Sequence, residues 1–385
     1  MFRLPIVDFL EDGLSEAAGG SFEDYAASFD SFPDLPDDFV PGRISEPSFF
    51  SFWRDVLKAD PEVLSIVKDG YRIPFVGGVD PPPSAEPNNR SALDKPDFLL
   101  ESLLSWERSG CTTKVTSKPR IVLLISVVYS NKWREVVYAS RSVNPYVIKN
   151  KVFLEPLADI GEVVSPGDWF SKQDLSQGYH HVMIHPDCRQ NFGVHYVHDD
   201  GSISYWVWNV LFLCKRNGVH LFTKVLKPHR RFLAERGIKH RLWIDDFLIV
   251  SKSFLKCLSD TQVHLEALYL AGWIVRPKKC SNFPVQRMQF LGLIVDSTSL
   301  AFYIPDSKKS RIIEKIDRVL GADWMPVRTL AALYGLLISV ALAVGPAIRL
   351  LTRFCFGIIR KRLPGINSSL SLGSASGSSP TLSPT

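Results

Sequence analysis

From Pro47 the apolar positions of FFSFWRDVLKADPEVLSIVKDG recur at helical spacing, and the pattern stops at Gly70. A Pro-rich passage, VDPPPSAEPNN, reads as a loop, and Ser91–Ser109 predicts a second helix ended by Gly110. RIVLLISVVY and WREVVYA, on either side of Ser130-Asn131, predict a pair of strands. DWFSKQDLSQGYHHVMIH reads as a strand, a short turn and a further extended or helical stretch. NFGVHYVHDDGSISYWVWNV alternates around Asp200-Gly201, a hairpin signal. Gly218–Arg236 predicts a helix closed by Gly237, with Lys224, Lys227 and Arg231 on one face. KHRLWIDDFLIVS predicts two apolar strands hinged on Asp245-Asp246, and a helix from Ser253 to Ala271 ends at Gly272. FLGLIVDSTSLAFYIP predicts a final hairpin and KKSRIIEKIDRVL an amphipathic helix. Strand pairs joined by hairpin turns rather than βαβ crossovers predict an α+β protein with antiparallel sheet.

Length and charge refine this picture. With 385 residues, 45% apolar and 22% charged, the chain has the make-up of an ordinary globular protein of two to three domains or one multi-lobed domain. Collagen-like, wholly disordered and disulfide-scaffold classes are excluded. The net charge of +5 is unevenly spread. Residues 1–104 carry 8 basic and 20 acidic side chains, a net of −12, whereas residues 105–385 carry 37 and 20, a net of +17. A cationic body of this kind suits a polyanionic partner. The first 40 residues hold ten acids and one Arg, so residues 1–45 read as a disordered acidic arm. Residues 364–385 carry no charge and 8 Ser, and read as a disordered tail.

The six cysteines stand singly with no C-x-x-C pair, which disfavours a zinc ribbon and suits a reducing intracellular compartment. Met1–Leu10 has no continuous apolar core and does not read as a signal peptide. Between Arg328 and Arg349 lie 20 uncharged residues, TLAALYGLLISVALAVGPAI. They reach the length of a membrane span, and the competing expectation is a buried helix pair broken near Gly345-Pro346.

The sharpest chemical signal is Leu242-Trp243-Ile244-Asp245-Asp246-Phe247-Leu248-Ile249-Val250, two adjacent carboxylates between apolar strands. A plain surface turn would normally bring Gly or Asn, and neither is present. Side-by-side acids repel unless solvent or a divalent cation neutralises them. A further acid, Asp174, ends the strand-like Ser171-Lys172-Gln173-Asp174. One carboxylate on one strand and a pair on a neighbouring hairpin suit two Mg²⁺ ions that keep positions open for phosphates.

D-L-x-x-G-Y-H-H, followed some seventy residues later by Trp-Ile-Asp-Asp, resembles motifs A and C of a reverse transcriptase. FTKVLKP and ERGI lie before Trp-Ile-Asp-Asp and GWIVRPKKCSNFP, FLGLIVDS and IPDSKK after it, in the family's order, and the collinear match over roughly residues 45–360 most resembles the DIRS-type retrotransposons that encode a tyrosine recombinase. The resemblance implies a right-hand polymerase, with fingers and palm over 46–300 and thumb or connection helices over 301–363. It implies an RNA-directed DNA polymerase acting on RNA template, DNA primer and dNTPs. Two Mg²⁺ ions, replaceable by Mn²⁺, would serve as cofactors. A ribonuclease H and a tyrosine recombinase from the same element would be partners, within the cytoplasm or nucleus and without a membrane anchor.

By position, the resemblance makes Asp174 and Asp245 the metal ligands, with Asp246 the supporting acid. It makes Tyr179 the aromatic gate against a ribose 2′-OH, and Lys132 and Arg134 the clamp on the incoming triphosphate. Lys279, or its neighbour Lys278, matches the lysine that protonates the leaving pyrophosphate, and Phe290-Leu291-Gly292 the primer-grip turn. The chain departs from the family at Leu211-Phe212-Leu213-Cys214-Lys215, where Leu-Pro-Phe-Gly-Leu is usual; a Cys side chain replaces a glycine that allows close backbone approach. Tyr138 replaces the Asp after the basic clamp, Trp243 a Tyr, and Leu123-Leu124 an Asn-Pro. These departures, and a Ser-rich tail where a ribonuclease H is expected, raise the reading of a degenerate or truncated copy. Two alternatives stay open: a catalytically silent module that binds RNA·DNA duplex, and a membrane-anchored interaction protein resting on 328–349.

His181 and His185 have the i, i+4 spacing of a helical zinc pair, but no Glu follows the first His and the intervening residues favour a strand. Basic residues interleaved with aromatics in HRRFLAERGIKHRLW could follow a nucleic-acid backbone or form a solvated helix face.

Overall fold

The computed structural model describes residues 39–362, apart from 130, 131, 153, 213–216 and 346, together with 381 and 382. The acidic arm, apart from its last few residues, the Ser130-Asn131 turn, Cys214 and most of the Ser-rich tail lie outside the described residues. Val40–Thr385 forms one compact unit, distinct from Met1–Phe39.

The first predicted helix is two. Helix α1 (Pro47–Ser51) runs on through a wider turn over Phe52–Val56 and stops, and α2 spans Pro61–Asp69. Pro61 cannot continue a helix from behind but suits its first turn, and Asp60 caps it by accepting the Val63 N–H at 3.0 Å. The second predicted helix breaks in the same way, into Arg90–Leu93 and α3 (Pro96–Arg108). In both places apolar periodicity carried through a proline that the backbone could not.

The strands follow as β1 (Thr112–Val115), β2 (Ile121–Val122), β3 (Leu124–Tyr129) and β4 (Trp133–Tyr138). Next come β5 (Trp169–Asp174), β6 (Gly193–Val197) and β7 (Ile203–Trp208). Strands β6 and β7 form the hairpin expected at Asp200-Gly201, and with Ser84–Ala85, β2 and β1 they make a five-stranded sheet. Strands β3 and β4 pair separately.

Helix α4 (Gly218–Glu235) leads to β8 (Lys239–Trp243), β9 (Asp246–Ser251), α5 (Phe254–Leu270) and β10 (Ser281–Val285). The central sheet has the order β10-β5-β9-β8 and is antiparallel throughout. One face packs Phe170, Leu248 and Val250 against Ile160 and a second, three-stranded sheet through Met288, Phe290 and Val295. That sheet is β11 (Arg287–Phe290), β12 (Leu293–Asp296) and β13 (Ala301–Tyr303). The other face lies under α4 and α5, where Phe247 meets His229 and His264.

Helices α6 (Asp306–Leu320) and α7 (Val327–Ile338) follow. The uncharged stretch 329–348 is not one span: α7 ends at Ser339 and short helices cover Ala341–Val344 and Ala347–Leu351. Among the described residues no helix is long and apolar enough to cross a membrane.

Candidate active site

Strand β5 alternates, so Phe170, Lys172 and Asp174 share one face while Ser171 and Gln173 turn to the other. Ser171 Oγ there bonds Thr261 Oγ1 of α5. In the ladder Asp246 stands opposite Asp174, Leu248 opposite Lys172 and Val250 opposite Phe170. Two carboxylates therefore face each other directly across neighbouring strands, an arrangement that is destabilising unless something neutralises it.

The hinge differs by one residue from the sequence expectation. Trp243 pairs with Asp246, so the turn is Ile244-Asp245 and Asp246 is already in the strand. Ile244 adopts φ 59°, a left-handed conformation that costs a β-branched residue on the order of 1–3 kcal/mol. Tight hairpins need such an angle at the first turn position to match strand twist. The turn is held from outside: Leu175 N–H donates to the Asp245 carbonyl at 3.1 Å, and Arg276 N–H to the Asp174 carbonyl at 2.8 Å.

Two lysines offset part of the charge. Lys279 Nζ lies 3.3 Å from Asp174 Oδ2, and Lys172 Nζ lies 3.4 Å from Asp246 Oδ1. Asp245 has no cation at ion-pair distance among the described residues. Burial pushes the Asp245 carboxyl above its ordinary range, and the charges of Asp246 and Asp174 push it further. Asp246 is raised by burial too, with Lys172 opposing. Among the described residues no three His, Cys, Asp or Glu side chains enclose an ion by themselves. A Mg²⁺ site that takes one or two carboxylates and fills its remaining positions with water and phosphate needs no such cage. Asp245, with no ion-pair partner among the described residues, fits that kind of site.

Tyr179 stacks on Phe222 of α4 with centroids 4.9 Å apart and planes at 28°. Its hydroxyl is buried with no hydrogen-bond partner among the described residues, and burial together with the Asp245 charge pushes its pKa up to about 12. A Cβ on Gly218 would stand 3.5 Å from the Tyr179 ring, so the start of α4 lies against the aromatic wall. Gly178 is wedged more tightly: a Cβ there would meet Phe222 at 2.7 Å and Asp245 Cβ at 3.4 Å. Gly178→Ala is expected to cost roughly 1–3 kcal/mol by overpacking against Phe222. Thermal unfolding checks this, and an unchanged melting temperature would show that Phe222 yields freely.

Phe290 is buried, and Leu291-Gly292 form the turn between β11 and β12, with φ 47° and 82°. Through Phe290 this hairpin shares a core with Phe170, Leu248 and Val250 behind the carboxylates. Lys132 and Arg134 stand exposed at the end of the β3–β4 hairpin, on a sheet separate from the carboxylates. Of the two candidate lysines it is Lys279 that reaches Asp174.

Sequence reasoning passed over two neighbours of the carboxylates. Lys172 was legible, because two residues along a strand is the same face. Cys280, whose Sγ accepts the Asp174 N–H at 3.4 Å, carried no local signal. The Nε2 of His181 accepts the Ile274 N–H at 3.0 Å while Nδ1 faces the Gly178 carbonyl at 3.2 Å. Both ring nitrogens are thus engaged by backbone, and His181 is not half of a zinc pair. His185 accepts the Asp187 N–H instead. The basic run on α4 and β8 is neither a solvated face nor free for phosphates throughout. Lys224 pairs with Glu62, Arg230 with Glu155, Arg241 with Glu162, and Arg231 donates to the Leu57 and Lys58 carbonyls. Of the three-residue face, Lys227 and Arg231 are exposed and Lys224 is half-buried.

Known proteins match this arrangement at two levels. Residues 130–295, which contain all three carboxylates, match a family model described as reverse transcriptase (RNA-dependent DNA polymerase). The structure superposes on that of a foamy viral protease-reverse transcriptase in complex with an RNA/DNA hybrid, with a TM-score of 0.61 and 18% identity over 94% of this chain. The fold is that of a reverse transcriptase. A second foamy viral protease-reverse transcriptase structure, in complex with double-stranded DNA, gives a TM-score of 0.60 and 20% identity, again over 94% of this chain. The chain spans about half of those two, 43% and 56% respectively. No curated protein matches the sequence. The β11–β12 hairpin packs against the β10-β5-β9-β8 sheet.

Proposed function

We propose that this chain is an RNA-directed DNA polymerase that extends a DNA primer with dNTPs. One observation carries the reading: Asp174 and Asp246 face each other across two strands, and Asp245 sits on the strained turn beside them with no ion-pair partner among the described residues. Asp174 and Asp245 would hold two Mg²⁺ ions, with Asp246 in support and Mn²⁺ able to substitute. When bound, such ions neutralise charge on the attacking and leaving oxygens of an in-line displacement. The primer 3′-oxygen attacks the α-phosphorus of the dNTP, its P–O bond forms as the bond to pyrophosphate breaks, and pyrophosphate leaves with the electron pair. The chain's part is largely positioning and electrostatics.

Lys279 Nζ lies 3.3 Å from Asp174 Oδ2, and we assign it to protonate the leaving pyrophosphate. The Tyr179 ring, backed by Phe222, would form the floor under the sugar and leave no room for a 2′-hydroxyl. Lys132 and Arg134 would swing with their hairpin onto the triphosphate. Phe290, Leu291 and Gly292 would hold the primer end, with residues 46–300 as fingers and palm and 301–363 as thumb or connection. The collinear motifs support an origin in a DIRS-type retrotransposon, acting inside the cell beside a ribonuclease H and a recombinase of the same element.

A second reading rests on Cys214, which stands where a glycine would admit the nucleotide and template. On that reading the chain binds RNA·DNA duplex and does not extend it. Extension of oligo(dT) on poly(rA) with Mg²⁺ or Mn²⁺ separates the two. Net incorporation of dTTP is the expected result, and tight duplex binding without incorporation would select the silent module.

A further inference from the structure

Three segments that are distant in sequence converge on the ammonium of Lys308. It lies in the first turn of α6, where a positive charge is disfavoured by the positive end of the helix dipole. The side chain turns away from that turn and donates to the Gly292 carbonyl at 3.1 Å and to the Ser339 carbonyl at 3.4 Å. Ser339 caps the C-terminus of α7, where exposed carbonyls favour a cation. Gly292 is the second residue of the Leu291-Gly292 turn, and its carbonyl lies outside the β-ladder.

Beneath the ammonium runs an apolar seam of Leu293, Ile312 and Val340, flanked by Ile304, Ile316, Leu336 and Leu337. The seam joins the same three segments, but apolar contact is non-directional and lets them slide. Two directed hydrogen bonds from one half-buried ammonium set the register between them. Both turn residues have left-handed backbone, at φ 47° and 82°, as a two-residue hairpin turn of this kind requires.

We propose that Lys308 is a positioning residue that latches the Leu291–Gly292 turn to helices α6 and α7, so that the primer end and the helical grip on the duplex move as one body. This rests on the reading of residues 290–292 as the primer-holding turn. Loss of the latch should free the primer end without touching the nucleotide pocket.

The test compares wild type with Lys308→Met and Lys308→Arg in the full chain. Labelled primer–template is dissociated into an excess of unlabelled trap, and product lengths are read in single-encounter extensions. Lys308→Met should release primer–template faster and shorten products by roughly fivefold to tenfold, the scale of charged hydrogen bonds, with the KM for dTTP changed less than about twofold. Lys308→Arg, which still donates to both carbonyls, should restore both. Wild-type release from Lys308→Met would overturn the latch, and so would an equal rise in the KM for dTTP. If Lys308→Met does not fold, Lys308→Gln keeps one donor group: faster release supports the latch, and unchanged release refutes it. If wild type binds duplex but never extends it, the polymerase reading fails while the dissociation comparison still decides the latch.

Discussion

Replacing Asp245 with Asn is expected to cut primer extension by at least roughly a hundredfold, the scale of losing one electrostatic stabiliser of a transition state, while leaving the fold intact. The two halves of that expectation come from the same geometry. Asp245 has two like charges beside it, no cation at ion-pair distance among the described residues, and a carboxyl raised by burial and by Asp246 and Asp174. In the free protein its charge is a cost, so removing it should leave the melting temperature unchanged or higher. Most carboxylates that hold a fold together behave in the opposite way, because they are paired and their loss strands a partner. Asp246 is such a case, since Lys172 would be left at 3.4 Å from a neutral amide. Extension kinetics and thermal unfolding of Asp245→Asn check both halves. Wild-type extension would remove Asp245 from the chemistry, and a collapse of the melting temperature would make it a structural residue.

Strand identity and most helix positions were legible in the sequence because periodicity of two or near 3.6 is local. The pairing of Asp174 with Asp246 was not, because neither segment carries information about the other's register. The one-residue shift of the turn shows what that costs. With the hinge at Asp245-Asp246 both acids would be turn residues; with it at Ile244-Asp245 the second acid enters β9 and faces Asp174. A slip of one residue moves a strand's side chains to the opposite face, so the position of the turn decides the site. The left-handed Ile244, Lys58 and Leu291 were equally invisible, since none is a residue type that seeks that conformation. Charge was legible on α4, but its use was not: Lys224 and Arg231 are tied to Glu62 and to the carbonyls after α1, partners more than 150 positions away. The prolines at 61 and 96 were in plain view, and apolar spacing overrode them only because it runs in phase on both sides.

Lowering the pH from 7.5 to 5 is expected to remove about 6 kcal/mol of stability through three buried imidazoles, a large share of the roughly 5–15 kcal/mol of a typical domain. The loss comes from imidazoles that fold only as neutral rings. His181 is fully buried between the Gly178 carbonyl and the Ile274 N–H, and burial pushes its pKa down to about 3. His229 of α4 and His264 of α5 are fully buried as a pair, Nε2 to Nδ1 at 2.9 Å, against Phe232 and Phe247. Burial pushes His229 to about 3 and His264 well below its ordinary range. A lowered folded pKa means that the unfolded chain binds the extra protons once the pH falls below its own value of about 6.5. Stability is therefore fully present above that value and declines as the pH drops towards the folded pKa. At pH 5 each such ring contributes about 2 kcal/mol of loss. We count all three rings, because each binds its own proton in the unfolded chain and stays neutral in the folded chain at pH 5. The loss is not confined to the core. His181 ties the residues after α5 to the turn that carries Gly178 and Tyr179, and Phe247 follows Asp246 directly, so acid should loosen the polymerase site as it destabilises the chain. Urea unfolding at the two pH values measures the difference. Equal stability at pH 5 and 7.5 would show that these rings are not held neutral, and a His229→Phe, His264→Leu variant should lose about two thirds of the pH dependence while keeping the part due to His181.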